Sequence, residues 1–248
     1  MKALILAAGH GTRLYPIIKN TPKAFLEIKG KTLVDYLLEK LKDLDKLVEV
    51  FVVTNNKFFA LFQDWAKGHR TFPCPIRIVN DGTNTPEERL GSIGDINFVL
   101  FNSKINDDLL VIGSDNLFNY DFKEFIPFCR RKIPAVSIGL YDIGNLESAK
   151  LFGVVKIDKE NKVISFEEKP QNPQTTLAAM CLYYFPKVSL KLIEQYLAQT
   201  KNADRAGDYI RWLQGKIGVF GFKFTGQWYD IGSIESYHEA QKKFKIPS

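Results

Sequence analysis

Gly9-His10-Gly11-Thr12-Arg13 is the stretch of this sequence best equipped for chemistry. Two glycines flanking a single residue can take backbone angles closed to other side chains. Having no Cβ, they also let a bulky anion reach main-chain N–H groups. Arg13 adds a planar cationic fork and Lys23 a compact ammonium. Pro22 keeps Thr21 out of the helical region, so Lys23 follows an extended segment. Together these groups describe a place for phosphates. Much farther on, Asp115 ends an apolar run that begins at Leu109. A carboxylate among phosphates is unfavourable unless a divalent cation lies between them. Magnesium takes such hard oxygens together with phosphate and water. Asp115 therefore reads as a metal ligand, against the plainer reading of a strand-end turn.

These groups need elements that bring them to one place. The run from Ala3 to Ala8, stopped by glycine, reads as a buried strand. Thr32 can cap a helix over 33–44, whose apolar residues at 33, 37, 41 and 44 form one stripe. Strands are expected at 47–53 and 75–80, with a helix between them capped by Asn55 or Asn56 and running to about Lys67. That β-α-β-α-β order implies a parallel sheet with right-handed crossovers. After a polar loop at 81–89, a helix is expected from about Leu90 to Asn102. Residues 108–118 read as one strand. Ligands sit beyond the carboxyl ends of strands in such sheets, which puts Asp115 on the edge that carries Gly9.

Asp121 can cap a helix over 122–132, followed by a strand at 133–141. Two runs flanking Asn161, 151–158 and 163–170, read as a hairpin. A strand at 176–186, helices at 188–199 and 206–213, a strand at 217–224 and a Ser233-capped helix to Phe244 complete the chain. The expected fold is α/β, a Rossmann-like mixed but mostly parallel sheet flanked by helices, as a single domain over 1–248.

Composition narrows the function classes. In 248 residues, 34 Lys and Arg stand against 28 Asp and Glu, a net charge of +6. The basic residues are dispersed, and the Lys242-Lys243-Lys245 cluster ends a helix, where cations suit the dipole. The excess charge thus reads as solubility plus a local anion site, with no nucleic-acid partner. Cys74, Cys129 and Cys181 are odd in number and lack a C-x-x-C, which fits a reducing compartment. No apolar run reaches the length of a membrane span, and the first one is too short for a signal peptide. The expected location is cytoplasmic. No Ser-His-Asp or Cys-His arrangement is evident, so no covalent nucleophile is expected. His10 either touches phosphate or is a neutral loop residue; His69 and His238 read as surface residues.

The glycine turn is neither a dinucleotide fingerprint, since Leu14 stands where the third glycine belongs, nor a P-loop, since no lysine follows Gly11. It resembles the sugar nucleotidylyltransferase (NDP-sugar pyrophosphorylase) family, which has G-x-G-T-R-L after its first strand and a P-K pair downstream. Here these are Gly9, Gly11, Thr12, Arg13, Leu14, Pro22 and Lys23. Further matches are Asp115-Asn116-Leu117-Phe118, Gly153-Val154-Val155, Glu167-Glu168-Lys169-Pro170 and Trp228-x-Asp230-Ile231-Gly232. Ser114 departs from the family, which has glycine there.

The resemblance implies an N-terminal nucleotidyltransferase fold whose hairpin forms a lid over a sugar, with short thymidylyl- and uridylyltransferases the nearest members. It implies nucleotide contacts from Ala8, Gly9, Gly11, Thr12, Asn80, Gly91 and Ser92. Asn80 would offer donor and acceptor to uracil or thymine; it reads equally as a turn-starting Asn. Sugar and sugar-phosphate contacts would come from Gly153, Glu168 and Lys169. Magnesium would be held by Asp115 and Asp230. Catalysis would rest on Arg13, Lys23, Asp115 and Lys169, which offset repulsion between a nucleoside triphosphate and a sugar-1-phosphate. Some members carry a C-terminal β-helix domain, for which 248 residues leave no room, and many are homo-oligomers. Other classes stay open: a cytidylyltransferase for phosphocholine, with Phe152 and Tyr183 around the cation, or a non-catalytic nucleotide-sugar sensor.

Overall fold

The computed structural model describes residues 1–11, 14, 20–200 and 203–246. Strand β1 (Lys2–Leu6) is apolar on both faces and lies at the centre of the sheet, as such a strand must. Its residues alternate between two cores: Ala3 and Ile5 face one, Leu4 the other. A short antiparallel pair, β2 (Glu27–Ile28) and β3 (Lys31–Thr32), leads into α1 (Leu33–Lys42). Then follow β4 (Glu49–Thr54), α2 (Phe59–Gly68), β5 (Ile76–Asn80), α3 (Ser92–Asn102) and β6 (Leu109–Gly113). Strand β1 pairs in parallel with β4 and β6, and β4 with β5, which gives the expected parallel centre.

The second half contributes β7 (Asn116–Phe118), α4 (Phe125–Lys132), β8 (Val136–Asp142), the single turn α5 (Leu146–Ala149), β9 (Gly153–Ile157) and β10 (Val163–Glu168). The chain closes with β11 (Leu177–Phe185), α6 (Lys191–Thr200), α7 (Ala206–Gln214), β12 (Val219–Phe224), β13 (Trp228–Asp230) and α8 (Ile234–Lys243). The order β10-β9-β11-β6-β1-β4-β5 runs across the main sheet, with β8 branching from β11 and β12 pairing with β8. Strand β11 is antiparallel to β6, β8 and β9, so the sheet is mixed. Helices α1, α2 and α4 cover the Ile5 face; α3, α6 and α7 cover the Leu4 face.

Two expected caps form as read: Thr32 Oγ1 accepts from Asp35 N, and Ser233 Oγ accepts from Ser236 N. Several expectations need correction. The run 108–118 is two strands, not one. Ser114 N donates to Leu6 O and Asn116 Nδ2 to Gly113 O, which breaks the ladder at Ser114-Asp115. Strand β7 then pairs antiparallel with β13 in a separate sheet. Asp121 does not cap α4: its Oδ1 accepts from Lys123 N in a local turn, and the helix starts at Phe125. Asn55 does not cap α2 either, which begins four residues later. Fully buried, it accepts from Phe58 N and donates to Ala8 O, tying β4 to the end of β1. His69 is half-buried, its Nε2 3.2 Å from Asp35 Oδ1 and its ring packed on Trp65. Among the described residues no helix is long and apolar enough to cross a membrane.

Candidate active site

Two cavities open at the carboxyl edge of the parallel strands. The first, about 390 Å³, is lined by Gly9, His10, Gly11, Lys23, Arg89 and Ser114 among others. Gly11 takes φ +64°, which a side chain would resist, and a Cβ on Gly9 would meet no atom of the described residues within 4 Å. The turn therefore presents bare main chain to the cavity. His10 lies beside it, and burial lowers its pKa, which favours the neutral imidazole. Thr12 and Arg13 lie outside the described residues.

The second cavity, about 350 Å³, lies under the β9–β10 hairpin. Gly153, Glu168, Lys169, Cys181, Arg205 and Asp230 all line it. Glu168 is half-buried, and burial raises its pKa. Its Oε2 and the Phe166 ring fill the space where a Cβ on Gly207 would fall, 2.5 and 2.7 Å away, so the carboxylate is cradled against α7 by a glycine. Lys169 takes φ +46°, although the residue before a proline prefers extended backbone, and its N–H donates to Phe152 O. The first residues of α7 point into the same space as Lys169 and Arg205. A helix N-terminus and two cations suit a phosphate monoester.

Asp115 lines both cavities. Its Oδ2 accepts from Lys23 Nζ at 2.8 Å, so the P-K lysine already brings positive charge to that carboxylate. Asp230 stands opposite Asn116 in the β7–β13 pairing, and Ile231 N donates to Asp115 O at 2.9 Å. Trp228 Nε1 donates to Asn116 Oδ1, which fixes that register. Both aspartates face Cys181 on β11: burial, then Asp115, then Asp230 push its thiol up to about 12. Cys181 thus stays protonated and is no nucleophile. Among the described residues no group of three or more His, Cys, Asp or Glu is placed to hold a metal. The donor set here is two carboxylates. That fits magnesium, which commonly completes its shell with phosphate and water.

Not every residue singled out in the sequence joins these. Asn80 is turned aside: its Nδ2 donates to Asn56 and its Oδ1 accepts from Gly82 N, the geometry of a turn-starting Asn. Gly91 packs against the main chain of Ala203 and Asp204, whereas Ser92 lines the second cavity while bonding the same segment. Ser92 Oγ donates to Asp204 O at 2.9 Å, and Ile93 N donates to Ala203 O.

The sequence model for nucleotidyl transferases matches residues 2–245. The chain belongs to that family. Within the nucleotidyl transferases it is 29% identical over 242 residues to the bifunctional protein GlmU of Methanocaldococcus jannaschii. It is 27% identical over 261 residues to the glucose-1-phosphate adenylyltransferase of Thermosipho africanus. These alignments cover 98% and 99% of this chain but 54% and 62% of those proteins. The chain therefore spans little more than half the length of these curated relatives. In fold it matches a candidate glucose-1-phosphate thymidylyltransferase from Bacillus anthracis, with TM-score 0.85, 22% identity and coverage of 100% and 98%. It also matches a UDP-glucose pyrophosphorylase crystallised with UDP-glucose, with TM-score 0.80, 22% identity and coverage of 98% and 97%.

Sequence reading missed Arg205 and Gly207 in this nucleotidyl transferase. Arg205-Ala206-Gly207 carries no pattern that marks a site, and only packing brings it to the hairpin. It missed Asp95 as well, a buried carboxyl on α3 with 7% exposure and, among the described residues, no hydrogen bond to its Oδ1. Burial, then Asp81 and Asp204, push its pKa up to about 8. Folded chain thus holds this proton up to about pH 8, while unfolded chain releases it near pH 4. The associated stability is complete below about pH 4 and drains away as pH rises towards 8. Asp95→Asn is expected to match wild type in melting near pH 3.5. At pH 7.5 it should be more stable by at least about 1 kcal/mol. Denaturant melts at the two pH values check this.

Proposed function

We propose that this chain is a sugar-1-phosphate nucleotidylyltransferase. It joins a nucleoside triphosphate to a sugar-1-phosphate and releases pyrophosphate. The observation that carries the reading is the shared wall: Asp115, held by Lys23, lines both the glycine-turn cavity and the hairpin cavity. A reaction between a triphosphate in one and a phosphate monoester in the other would occur at that wall. The names of the relatives support a sugar phosphate as acceptor.

The monoester is already a competent nucleophile at neutral pH. The protein's task is to place its oxygen in line with the α-phosphorus and to offset the repulsion between two polyanions. The bare turn at Gly9 and Gly11 receives the triphosphate, with Arg13 and Lys23 supplying charge. Lys169, Arg205 and the start of α7 receive the acceptor phosphate. Glu168 accepts hydrogen bonds from sugar hydroxyls. Asp115 and Asp230 would hold magnesium, which supplies charge neutralisation at the transferring phosphoryl group.

UTP or dTTP is the proposed donor, on the family pattern; Asn80, locally bonded here, would have to turn to read the base. Relatives named for adenylyl, thymidylyl and uridylyl transfer make the base the least constrained part. Phe152, Phe166, Tyr183 and Trp228 line the acceptor cavity. They favour, as a second reading, phosphocholine with CTP, its cation held on aromatic faces. A matrix of UTP, dTTP, CTP and ATP against several sugar-1-phosphates and phosphocholine, read by magnesium-dependent pyrophosphate release, tests both. Turnover with one sugar-phosphate pair is expected. Turnover with phosphocholine alone would select the second reading, and binding without turnover in any combination would indicate a sensor.

A further inference from the structure

Asp204 lines both cavities, an odd place for a carboxylate where two polyanions must meet. Arg89 explains it. Its Nη2 donates to Asp204 Oδ2 at 2.8 Å, and Arg89 itself lines the glycine-turn cavity with Gly9, Gly11 and Lys23. The two partners are anchored differently. Asp204 sits on fixed main chain, its carbonyl accepting from Ser92 N and Oγ, with Ala203 O beside it accepting from Ile93 N. Arg89 comes from the loop 81–91, which makes no strand or helix. Their side chains are 58% and 51% exposed, so the pair is wet and weak. A guanidinium offers its fork bidentately to phosphate, and a triphosphate carries far more charge than one carboxylate.

We propose that Arg89 is a further triphosphate-binding residue, held in waiting by Asp204 and exchanged onto the phosphates when the nucleotide enters. The inference rests on the reading of the two cavities given above. Nucleotide binding then neutralises the incoming charge with a cation already beside the turn. Asp204 acts as the competitor that the nucleotide must displace.

Calorimetric titration of the full chain with the magnesium salts of UTP, dTTP, CTP and ATP in turn, without acceptor, tests this. With the tightest of these, Arg89→Ala is expected to weaken binding roughly 10- to 100-fold, and Arg89→Lys to recover part of the loss. Asp204→Asn removes a competitor and a like charge, and is expected to tighten binding about three- to ten-fold. In an Arg89→Ala background the same Asp204→Asn change should tighten it much less, since the guanidinium for which carboxylate and phosphates compete is gone. A thermal melt of each variant checks folding. Arg89→Ala within two-fold of a wild type that binds and turns over overturns this inference alone. Asp204→Asn weakening binding as much as Arg89→Ala marks the pair as scaffold and also overturns it. A wild type that binds none of the four overturns it together with the functional reading.

Discussion

Asp115→Asn is expected to melt cooperatively near the wild-type temperature and to lose at least about 10²–10³-fold in turnover. The shape of the side chain is kept, and the amide oxygen can still accept from Lys23 Nζ, which now sits 2.8 Å from Asp115 Oδ2. What disappears is a full negative charge at the wall between the two cavities. If that charge holds a cation acting on the transferring phosphoryl group, the loss falls on kcat more than on KM. Raising magnesium tenfold should recover little, because a carboxylate and an amide differ in charge as ligands, not only in affinity. Steady-state kinetics with a melt on the same sample measures both halves. A variant as active as wild type would remove Asp115 from the mechanism.

A second large effect is expected at Gly91, on stability first. The residue has φ +78°, and a Cβ there would lie 2.4 Å from Asp204 Cα and 2.6 Å from Ala203 O. Both are main-chain atoms that cannot swing away. Gly91→Ala therefore combines left-handed strain with overpacking, roughly 2–4 kcal/mol together. For a chain of this size that is a fall in Tm of about 5–15 °C. Gly30→Ala is the control: φ is +82°, but the space around its Cβ is empty. It should cost only about 1 kcal/mol. The Gly91 variant should also raise KM for the acceptor, because the displaced segment carries Asp204 and Arg205. Equal losses for the two glycine variants would mean that the 203–204 segment gives way freely.

Gly91 illustrates what a sequence can and cannot tell. The resemblance placed it at the nucleobase, a role assigned by motif position. The packing gives it another task, receiving the backbone of residues 203 and 204, more than 100 residues away in the chain. Nothing local to Gly91 announces that partner. Elements whose cause is local were legible. Thr32 and Ser233 cap their helices, and the apolar run of β1 lies at the centre of the sheet. Asp115 and Asp230 were legible as a pair only through the family pattern. The structure adds their proximity, through the β7–β13 pairing and the cavity that both line with Cys181.

Misreadings came where a side chain bonds across the fold. Asn55 looked like a cap for the helix that follows it, and it ties the glycine turn to β4 instead. Residues 108–118 read as one strand because two apolar stretches, 109–112 and 117–118, lie only a short polar step apart. The polar step Ser114-Asp115-Asn116 is the break: Ser114 N bonds Leu6 O and the Asn116 side chain bonds Gly113 O, partners that the sequence does not name. Arg205 escaped notice because one arginine in a polar loop carries no pattern of its own.

The most direct measurement is anomalous diffraction from manganese in crystals grown with a non-hydrolysable analogue of whichever triphosphate the wild type uses. The expected result is one manganese peak at Asp115 and Asp230, the carboxylates that would hold the ion, with the triphosphate at the turn of Gly9 and Gly11. A peak elsewhere, or triphosphate density away from the turn at Gly9 and Gly11, would contradict it.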